Sequence, residues 1–167
     1  MRIATWNINS VRLRSDQVLG FIKNKKIDII CLQETKTQDE YFPNDLFKKI
    51  GMDYQYYRGE KSYNGIAILS NFKLEEENFI NWCGKNDTRH ISVKLKKNIE
   101  LHNFYIPAGG DEPDIVKNPK FGHKISFLNE MKQYFLKEKT NKILVGDLNI
   151  APLEHDVWSH KQLLNVV

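Results

Sequence analysis

The sequence lacks the features that mark exported, membrane-spanning or disulfide-stabilised proteins. Its 167 residues contain two cysteines, Cys31 and Cys83, which are too few for a disulfide framework. Cys31 lies within an apolar run, where it fits as a small buried side chain. No apolar run approaches the roughly 20 residues of a membrane span, and no charged-then-apolar export signal follows Met1. We therefore expect a reduced, cytoplasmic protein.

Internal repeats, low-complexity tracts and Ser/Gly-rich linkers are also missing, which excludes repeat arrays and favours one domain. The composition, 41% hydrophobic and 28% charged, is typical of a soluble globular protein long enough to bury a core. Lys and Arg number 25 against 21 Asp and Glu, a net charge of +4. This excess permits a polyanionic partner such as nucleic acid, but an ordinary lysine-rich surface would give the same balance.

The first third of the chain predicts a strand–helix–strand unit. RIATWNI (2–8) and IDIICLQE (27–34) are apolar runs typical of buried strands. Between them, Ser15 is placed to cap a helix over 16–25. This order favours parallel pairing of the two strands with a right-handed crossover. A short helix over 43–50 follows.

The remainder predicts antiparallel strands, then a long helix and one further strand. Short segments at close spacing over 54–106 are typical of antiparallel meanders. Asn118 and Pro119 suit the start of a helix whose apolar stripe extends over 121–135. The apolar run 143–145 predicts a covered strand. Together these elements predict an α/β fold with a twisted, mixed sheet flanked by helices.

Polar side chains occur where the predicted strands end. The first strand ends at Asn7, the second at Glu34, and later strands at Tyr105 and in Asp147-Leu148-Asn149. Ligands of open α/β sheets bind at the carboxyl ends of strands, so these groups would form one pocket if the ends converge. Two carboxylates, two amides and a phenol suit a hard cation such as Mg²⁺. Each residue alone also fits a turn, a cap or a half-buried strand position, so the argument depends on the set.

Six segments of the sequence occur in the order found in exonuclease III. They are WNINSVR (6–12), LQETK (32–36), YNGIAILS (63–70), NFYIPAGG (103–110), KFGHKISFL (120–128) and GDLNIAP (146–152). The chain therefore resembles, over essentially its whole length, the exonuclease III and abasic-site endonuclease branch of the endonuclease/exonuclease/phosphatase superfamily. The opening WNINSVR favours this DNA-repair branch over lipid or inositol phosphoesterases and over an RNA-directed nuclease.

The resemblance implies a fold and an activity. Residues 1–167 would form the N-terminal portion of a four-layer, DNase I-like α/β sandwich, with two facing mixed sheets between helices. Members of the branch hydrolyse phosphodiesters of double-stranded DNA beside abasic sites and at 3′ ends, with Mg²⁺ or Mn²⁺. Water is the nucleophile, so no Ser or Cys nucleophile is required.

The resemblance also implies roles for individual residues. Glu34 would be the principal metal ligand, with Asn7 beside the metal, either in direct contact or behind a ligand. Asp147 would orient or deprotonate the attacking water, while Asn149 donates to the phosphate and Tyr105 lies against it. The metal half of the site comprises Asn7, Glu34, Asp147 and Asn149. The side chains expected to contact DNA are Arg12, Lys36, Arg58, Asn64 and Arg89.

Two departures from the family pattern affect these expectations. Ala108 stands where the family usually has Asn or Gln after the proline, which either alters a hydrogen bond on the phosphate side or only marks a subgroup. The family's closing Ser-Asp-His segment has no counterpart here, and His155 and His160, in a predicted helix after the last strand, lie at the wrong place to replace it.

The shorter pattern leaves two hypotheses open. A chain without the later strands should expose an apolar sheet face and strand edges, because the second sheet would depend largely on the missing part. Covering that surface would require a partner or self-association. The chain would then be either a fragment of a longer DNA-repair hydrolase, weak or inactive alone, or a non-catalytic remnant that binds DNA or protein.

Overall fold

The computed structural model describes residues 1–96 and 98–164, and these form two compact units. The first unit comprises Met1–Tyr105 and Lys139–Asp147. The second comprises Ile106–Glu138 and the described residues from Leu148 onward. Both cysteines are free thiols. Within the described ranges, no helix combines the length and the apolar character needed to cross a membrane.

The first unit contains eight strands and two helices. In chain order they are β1 Ile3–Asn7, α1 Val11–Lys25, β2 Ile29–Gln33, α2 Asn44–Lys48, β3 Tyr54–Glu60, β4 Tyr63–Ser70, β5 Glu75–Asn78, β6 His90–Leu95, β7 Ile99–Tyr105 and β8 Asn141–Asp147. Single 3₁₀ turns occur at Asp39–Tyr41 and Trp82–Gly84. The strands form two four-stranded sheets, in the orders β1-β2-β4-β3 and β5-β6-β7-β8.

Both sheets are mixed, as the sequence predicts. β1 is parallel to β2, whereas β4 is antiparallel to both β2 and β3. In the second sheet β7 is antiparallel to β6 and parallel to β8. The two parallel pairs place the carboxyl ends of β1 with β2, and of β7 with β8, side by side. This pairing sets up the site described below.

The two sheets face each other across an apolar core. The fully or nearly fully buried residues of this core are Ile29, Cys31, Ile66, Ile68, Leu74, Ile91, Val93, Leu95 and Leu101. A second cluster joins the outer face of the first sheet to α1 and α2, and includes Val11, Val18, Ile22, Ile30, Leu32, Phe47, Ala67 and Leu69. Asn103 also ties the sheets together, because its amide donates to the carbonyls of Leu32 (3.1 Å) and Ala67 (2.9 Å).

The start of α1 differs from the prediction. The helix begins at Val11, and Ser15 is not its cap, because the Ser15 hydroxyl donates inside the helix to the carbonyl of Val11 at 2.7 Å. The end of β2 supplies the acceptors instead. The backbone N–H of Ser10 donates to the carbonyl of Glu34 (2.7 Å), and that of Val11 donates to the carbonyl of Thr35 (3.0 Å). Main-chain bonding to β2 therefore starts the helix early.

The second sheet also corrects an expectation. Four strands of this sheet, β5 to β8, are built from the chain itself, so it does not depend largely on residues outside it. β8 lies at the edge of that sheet, with β7 as its partner among the described residues. Leu144 on β8 is 44% exposed, so this strand is not covered as the apolar run 143–145 predicts.

The second unit contains α3, Pro119–Lys137, and α4, His160–Leu163. Asn118 caps α3 as predicted, because its side-chain oxygen accepts from the backbone N–H groups of Lys120 and Phe121. The segment that carries His155 and His160 is not one helix. His155 lies in a 3₁₀ turn, Glu154–Asp156, and His160 begins α4.

Candidate active site

Four predicted site residues converge at the carboxyl ends of β1, β2, β7 and β8. The side-chain amide of Asn7 donates to Glu34 Oε1 and to Asp147 Oδ2, both at 2.8 Å. The Tyr105 hydroxyl donates to the same Glu34 oxygen, also at 2.8 Å. Tyr105 and Asp147 are register partners on β7 and β8. The convergence expected from the strand ends is therefore present, with one amide bridging two carboxylates.

The backbone around Glu34 is held in uncommon conformations. Glu34, Lys36, Asn9 and Asn64 all have positive φ angles, between 37° and 54°. Such residues typically cost about 1–3 kcal/mol each and persist only where the surroundings fix them. Here the backbone N–H of Lys36 donates to the carbonyl of Asn64 at 2.9 Å, and Ser10 is bonded to the carbonyl of Glu34. The loops after β1 and β2 and the start of β4 thus lock one another.

Hydrogen bonds keep Glu34 ionised. Burial raises the pKa of Glu34, but donors on Asn7, Lys36 and Tyr105 outweigh it, so the pKa lies below its usual value. The Lys36 ammonium lies 2.7 Å from Glu34 Oε2. Conversely, burial and the bond to the Glu34 carboxylate raise the pKa of Tyr105, so its phenol stays protonated and remains a donor.

The carboxylate oxygens of Glu34 and Asp147 could hold a divalent metal. Glu34 and Asp147 offer carboxylate oxygens that approach a common point, because both bind the same Asn7 amide nitrogen. Across the described part of the chain, no group of three or more His, Cys, Asp or Glu is placed to hold a metal. Two carboxylates with solvent completing the shell fit Mg²⁺ or Mn²⁺. The Asn7 side-chain oxygen accepts from the backbone N–H of Asn9 (3.2 Å), while its amide nitrogen bridges the two carboxylates.

Arg12 and Lys36, two of the five predicted DNA-contacting residues, line an open groove. The groove has a volume of about 480 Å³ and is lined by Asn9, Ser10, Arg12, Leu13, Arg14, Lys36 and Ser62. An adjoining recess of about 270 Å³ shares Arg12 and Lys36 and adds Lys61. We refer to the two together as the basic groove. The sequence reasoning did not single out Arg14 and Lys61, although Arg14 lies only two positions after Arg12 in the segment WNINSVRLR.

The structure ties Arg58 and Arg89 to other side chains, and Arg89 is buried. The Arg58 guanidinium donates to the side-chain oxygen of Asn81 (2.8 Å) and lies 5.2 Å from the centre of the Phe79 ring. Arg89 is 8% exposed, pairs with Asp87 at 2.8 Å and lies over the Tyr105 ring. Arg89 also donates to the Tyr105 carbonyl, so its visible role is to support Tyr105.

Asn64 is buried as well. Its side chain is 2% exposed, and its amide donates to Glu60 Oε1 (3.1 Å) and to the carbonyl of Asp87 (2.8 Å). This burial argues against the direct DNA contact that we expected from its position in the YNG segment.

In the second unit, the predicted site residue Asn149 is bonded to Lys124, which the sequence reasoning did not single out. Asn149 has a φ of 48°, and its side-chain amide donates to the carbonyl of Ile106 at 2.8 Å. The Lys124 ammonium donates to the carbonyls of Ala108 (3.1 Å) and Asn149 (2.7 Å). The helical spacing could have identified Lys124 as a buried lysine, because it lies three positions after Phe121 and therefore on the apolar face of α3.

Comparison with known proteins places these features in a family. Residues 4–166 match the Endonuclease/Exonuclease/phosphatase family. Exodeoxyribonuclease III of Haemophilus influenzae is 32% identical over 165 residues, which cover 94% of this chain and 60% of that protein. The structure of an AP endonuclease from Archaeoglobus fulgidus is similar with a TM-score of 0.88 at 34% identity, covering 99% of this chain and 64% of that one.

A third relative is a 3′ phosphatase from Neisseria, solved bound to a product DNA hairpin. It gives a TM-score of 0.86 at 26% identity, covering 97% of this chain and 63% of that one. The chain thus spans about three fifths of the length of these relatives. The likeness confirms the predicted DNase I-like fold class and the resemblance to exonuclease III. The chain belongs to the endonuclease/exonuclease/phosphatase family.

Proposed function

We propose that this chain carries the metal-binding half of an exonuclease III-like, Mg²⁺-dependent DNA hydrolase of base-excision repair. The substrate would be double-stranded DNA, cut beside abasic sites and at 3′ ends. The observation that carries the proposal is the Asn7 amide bridging Glu34 and Asp147 at strand ends. The names of the relatives, an exodeoxyribonuclease III, an AP endonuclease and a DNA-bound 3′ phosphatase, support a DNA substrate.

Each site residue has a role in phosphodiester hydrolysis that its contacts support. Glu34 is held ionised by three donors and would bind the metal. Asn7 fixes the direction of the Asp147 carboxylate, which would orient or deprotonate the attacking water. Tyr105 keeps its proton and would donate to the phosphate. When bound, Mg²⁺ would neutralise phosphate oxygens and the leaving oxygen.

Asn149 and the basic groove would act on the substrate. Asn149 would donate to the phosphate as negative charge grows, an effect commonly worth about 3 kcal/mol for one donor. Arg12, Arg14, Lys36 and Lys61 would hold the DNA backbone, which positions the substrate without reading its sequence. The Lys36 ammonium would serve both parts, because it pairs with Glu34 and lines the groove.

A second candidate function is a non-catalytic DNA-binding module. One observation favours it: the basic groove is lined by Arg12, Arg14 and Lys61, which are not members of the Asn7, Glu34 and Asp147 hydrogen-bonded set. DNA binding could therefore persist without hydrolysis.

Cleavage of a duplex with one abasic-site analogue tests the proposal and separates the two candidates. We expect weak Mg²⁺-dependent cutting by the chain, because it would carry only part of the site, and loss of this cutting in Glu34→Gln and Asp147→Asn. Glu76→Gln is the matched control, since Glu76 also pairs with a lysine (Lys94, 2.9 Å) but is 67% exposed and lies on β5. Binding without cutting would favour the module. A folded chain that neither binds nor cuts would overturn both.

A further inference from the structure

Lys124 is a buried cation whose recorded partners are neutral. It is 7% exposed. Over the described residues its ammonium forms no ion pair, and it donates to the main-chain carbonyls of Ala108 and Asn149. Buried lysines are rare and are normally paired with a carboxylate. A buried lysine whose ammonium donates to two main-chain carbonyls therefore indicates a role other than core packing.

The loop after Pro107 is built around the Lys124 stem. Gly109 has a φ of +95°, and a Cβ at this position would lie 2.8 Å from Lys124 Cδ. The side-chain amide of Asn118 fastens the same loop by donating to the carbonyls of Gly109 (2.8 Å) and Glu112 (2.7 Å). The loop thus leaves space for a long side chain that reaches the Ala108 carbonyl.

Asn149 is fixed from two sides by this arrangement. Its side chain donates to the carbonyl of Ile106, and its own carbonyl accepts from Lys124 at 2.7 Å. Its left-handed backbone is of the kind that persists only when its surroundings hold it. Lys124 supplies one bond that does so, and its second hydrogen bond anchors the lysine to the carbonyl of Ala108.

We propose that Lys124 is a positioning residue, which fixes the backbone of Asn149 and thereby aims the Asn149 amide at the substrate phosphate. The inference rests on the proposed function, in which Asn149 donates to that phosphate. The second anchor of Lys124, the main-chain carbonyl of Ala108, does not depend on the side chain at that position.

The direct test is the ¹⁵N–¹H spectrum of the Asn149 side-chain amide, which requires no enzymatic activity. The two signals are assigned by their loss in Asn149→Ala. In Lys124→Met we expect both to move or broaden, and in Lys124→Arg, which keeps charge and donors, we expect them to return towards the wild-type positions. Lys132→Met, an exposed lysine of the same helix, is the control and should leave them in place.

Two outcomes would overturn the inference. One is a folded Lys124→Met variant whose Asn149 signals are unchanged. The other is unfolding of both Lys124→Met and Lys124→Gln, which keeps a donor without the charge, because a lysine needed only for folding would give that result.

Kinetics sharpen the test where the chain cleaves DNA. We expect Lys124→Met to lower kcat about tenfold, less than the roughly hundredfold loss expected for Asn149→Ala. KM should change by less than about twofold, because the lost alignment acts in the transition state. The double variant should be no slower than Asn149→Ala alone, and additive losses would contradict the inference. Absence of cleavage in the wild type would reject the proposed function, while the amide signals would still decide the role of Lys124.

Discussion

Two hydrogen-bonded networks in the first unit are built from similar polar groups and differ in where they lie on the strands. The carboxylate network, Asn7 with Glu34, Tyr105 and Asp147, lies at strand ends and is half-buried. The second, which we call the histidine network, lies along β6, β7 and the start of β8. Its members are His90, His102, Glu100, Lys142 and Thr140.

The histidine network is a chain with a fixed direction. His90 Nδ1 accepts from the backbone N–H of Ile80 (3.1 Å), so the proton of the neutral ring is on Nε2 and is donated to His102 Nδ1 (3.0 Å). His102 Nε2 then donates to Glu100 Oε2 (3.1 Å), which also pairs with Lys142. Both rings are 1% exposed. A buried network with a neutral His90 ring suits stability, whereas ionised oxygens open to solvent suit a metal and a substrate.

The largest effect should come from removing the carboxylate of Glu34. Glu34→Gln keeps the shape of the side chain but removes a proposed metal ligand, and changes at a metal centre commonly cost at least about 10–100-fold in affinity. We expect Mn²⁺ affinity to fall by about 100-fold or more, measured from the electron paramagnetic resonance signal of free Mn²⁺. Glu76→Gln should bind as the wild type does. Equal affinities in both variants would show that the carboxylate network is not the metal site.

The opposite pattern is expected for the histidine network. His102→Leu removes the acceptor for the His90 ring and a donor to Glu100, leaving buried groups unpaired. Unsatisfied buried groups cost about 1–3 kcal/mol, so we expect the free energy of unfolding in urea to fall by about 2–3 kcal/mol. Mn²⁺ affinity, measured under folded conditions, should stay within about twofold. If His102→Leu lowered Mn²⁺ affinity as much as Glu34→Gln should, the histidine network would also contribute to metal binding, and the two networks would not have separate roles.

The third-largest effect should be a fall in the free energy of unfolding at acidic pH, caused by the shifted pKa of His90. Burial, and then the neighbouring His102, lower the pKa of His90 to about 3, from 6.5 in the unfolded chain. The unfolded state therefore binds the proton first. The stabilisation is complete above pH 6.5 and is lost as pH falls from 6.5 towards about 3. Between pH 7.5 and 5.5, where carboxylates scarcely titrate, the unfolding free energy should fall by about 1.4 kcal/mol.

His90→Phe is the matching variant for this pH dependence. It cannot take up a proton, so its unfolding free energy should change less between pH 7.5 and 5.5, whatever its absolute stability. Urea unfolding at the two pH values measures this difference. An equal fall in wild type and variant would assign the acid sensitivity to other groups.

The sequence was sufficient to predict the carboxylate network. Apolar runs ending at Asn7, Glu34, Tyr105 and Asp147 marked the strand ends, and parallel pairing brings such ends to one edge of a sheet. The signal was strong because strand position and residue chemistry agreed. The start of α1 at Val11 could not be predicted in this way, because the acceptors that fix it are carbonyls at the end of β2.

The basic residues show the limit of sequence reasoning more clearly. Arg12, Arg58 and Arg89 look alike in the sequence, and all three were predicted to contact DNA. Their surroundings separate them. Asn81 accepts a hydrogen bond from Arg58, and Asp87 pairs with Arg89, and local sequence patterns do not encode either contact. Arg12 alone of the three lines the basic groove.

The smallest effect should distinguish Arg12 from Arg58 in DNA binding. An exposed cation that contacts one phosphate contributes about 0.9 to the slope of log K against log salt concentration. Arg12→Ala should weaken binding to an abasic duplex several-fold, lower that slope by about 0.9 and leave the urea midpoint unchanged. Arg58→Ala should instead lower the midpoint, because its contacts with Asn81 and Phe79 are lost, and leave the slope unchanged.

Fluorescence anisotropy between 50 and 200 mM salt measures both slopes. Phosphate contacts change affinity by about 10-fold or more over this range. The opposite result would be a lower salt slope in Arg58→Ala and a lower urea midpoint in Arg12→Ala. It would show that the DNA-binding surface includes Arg58 and is not the basic groove.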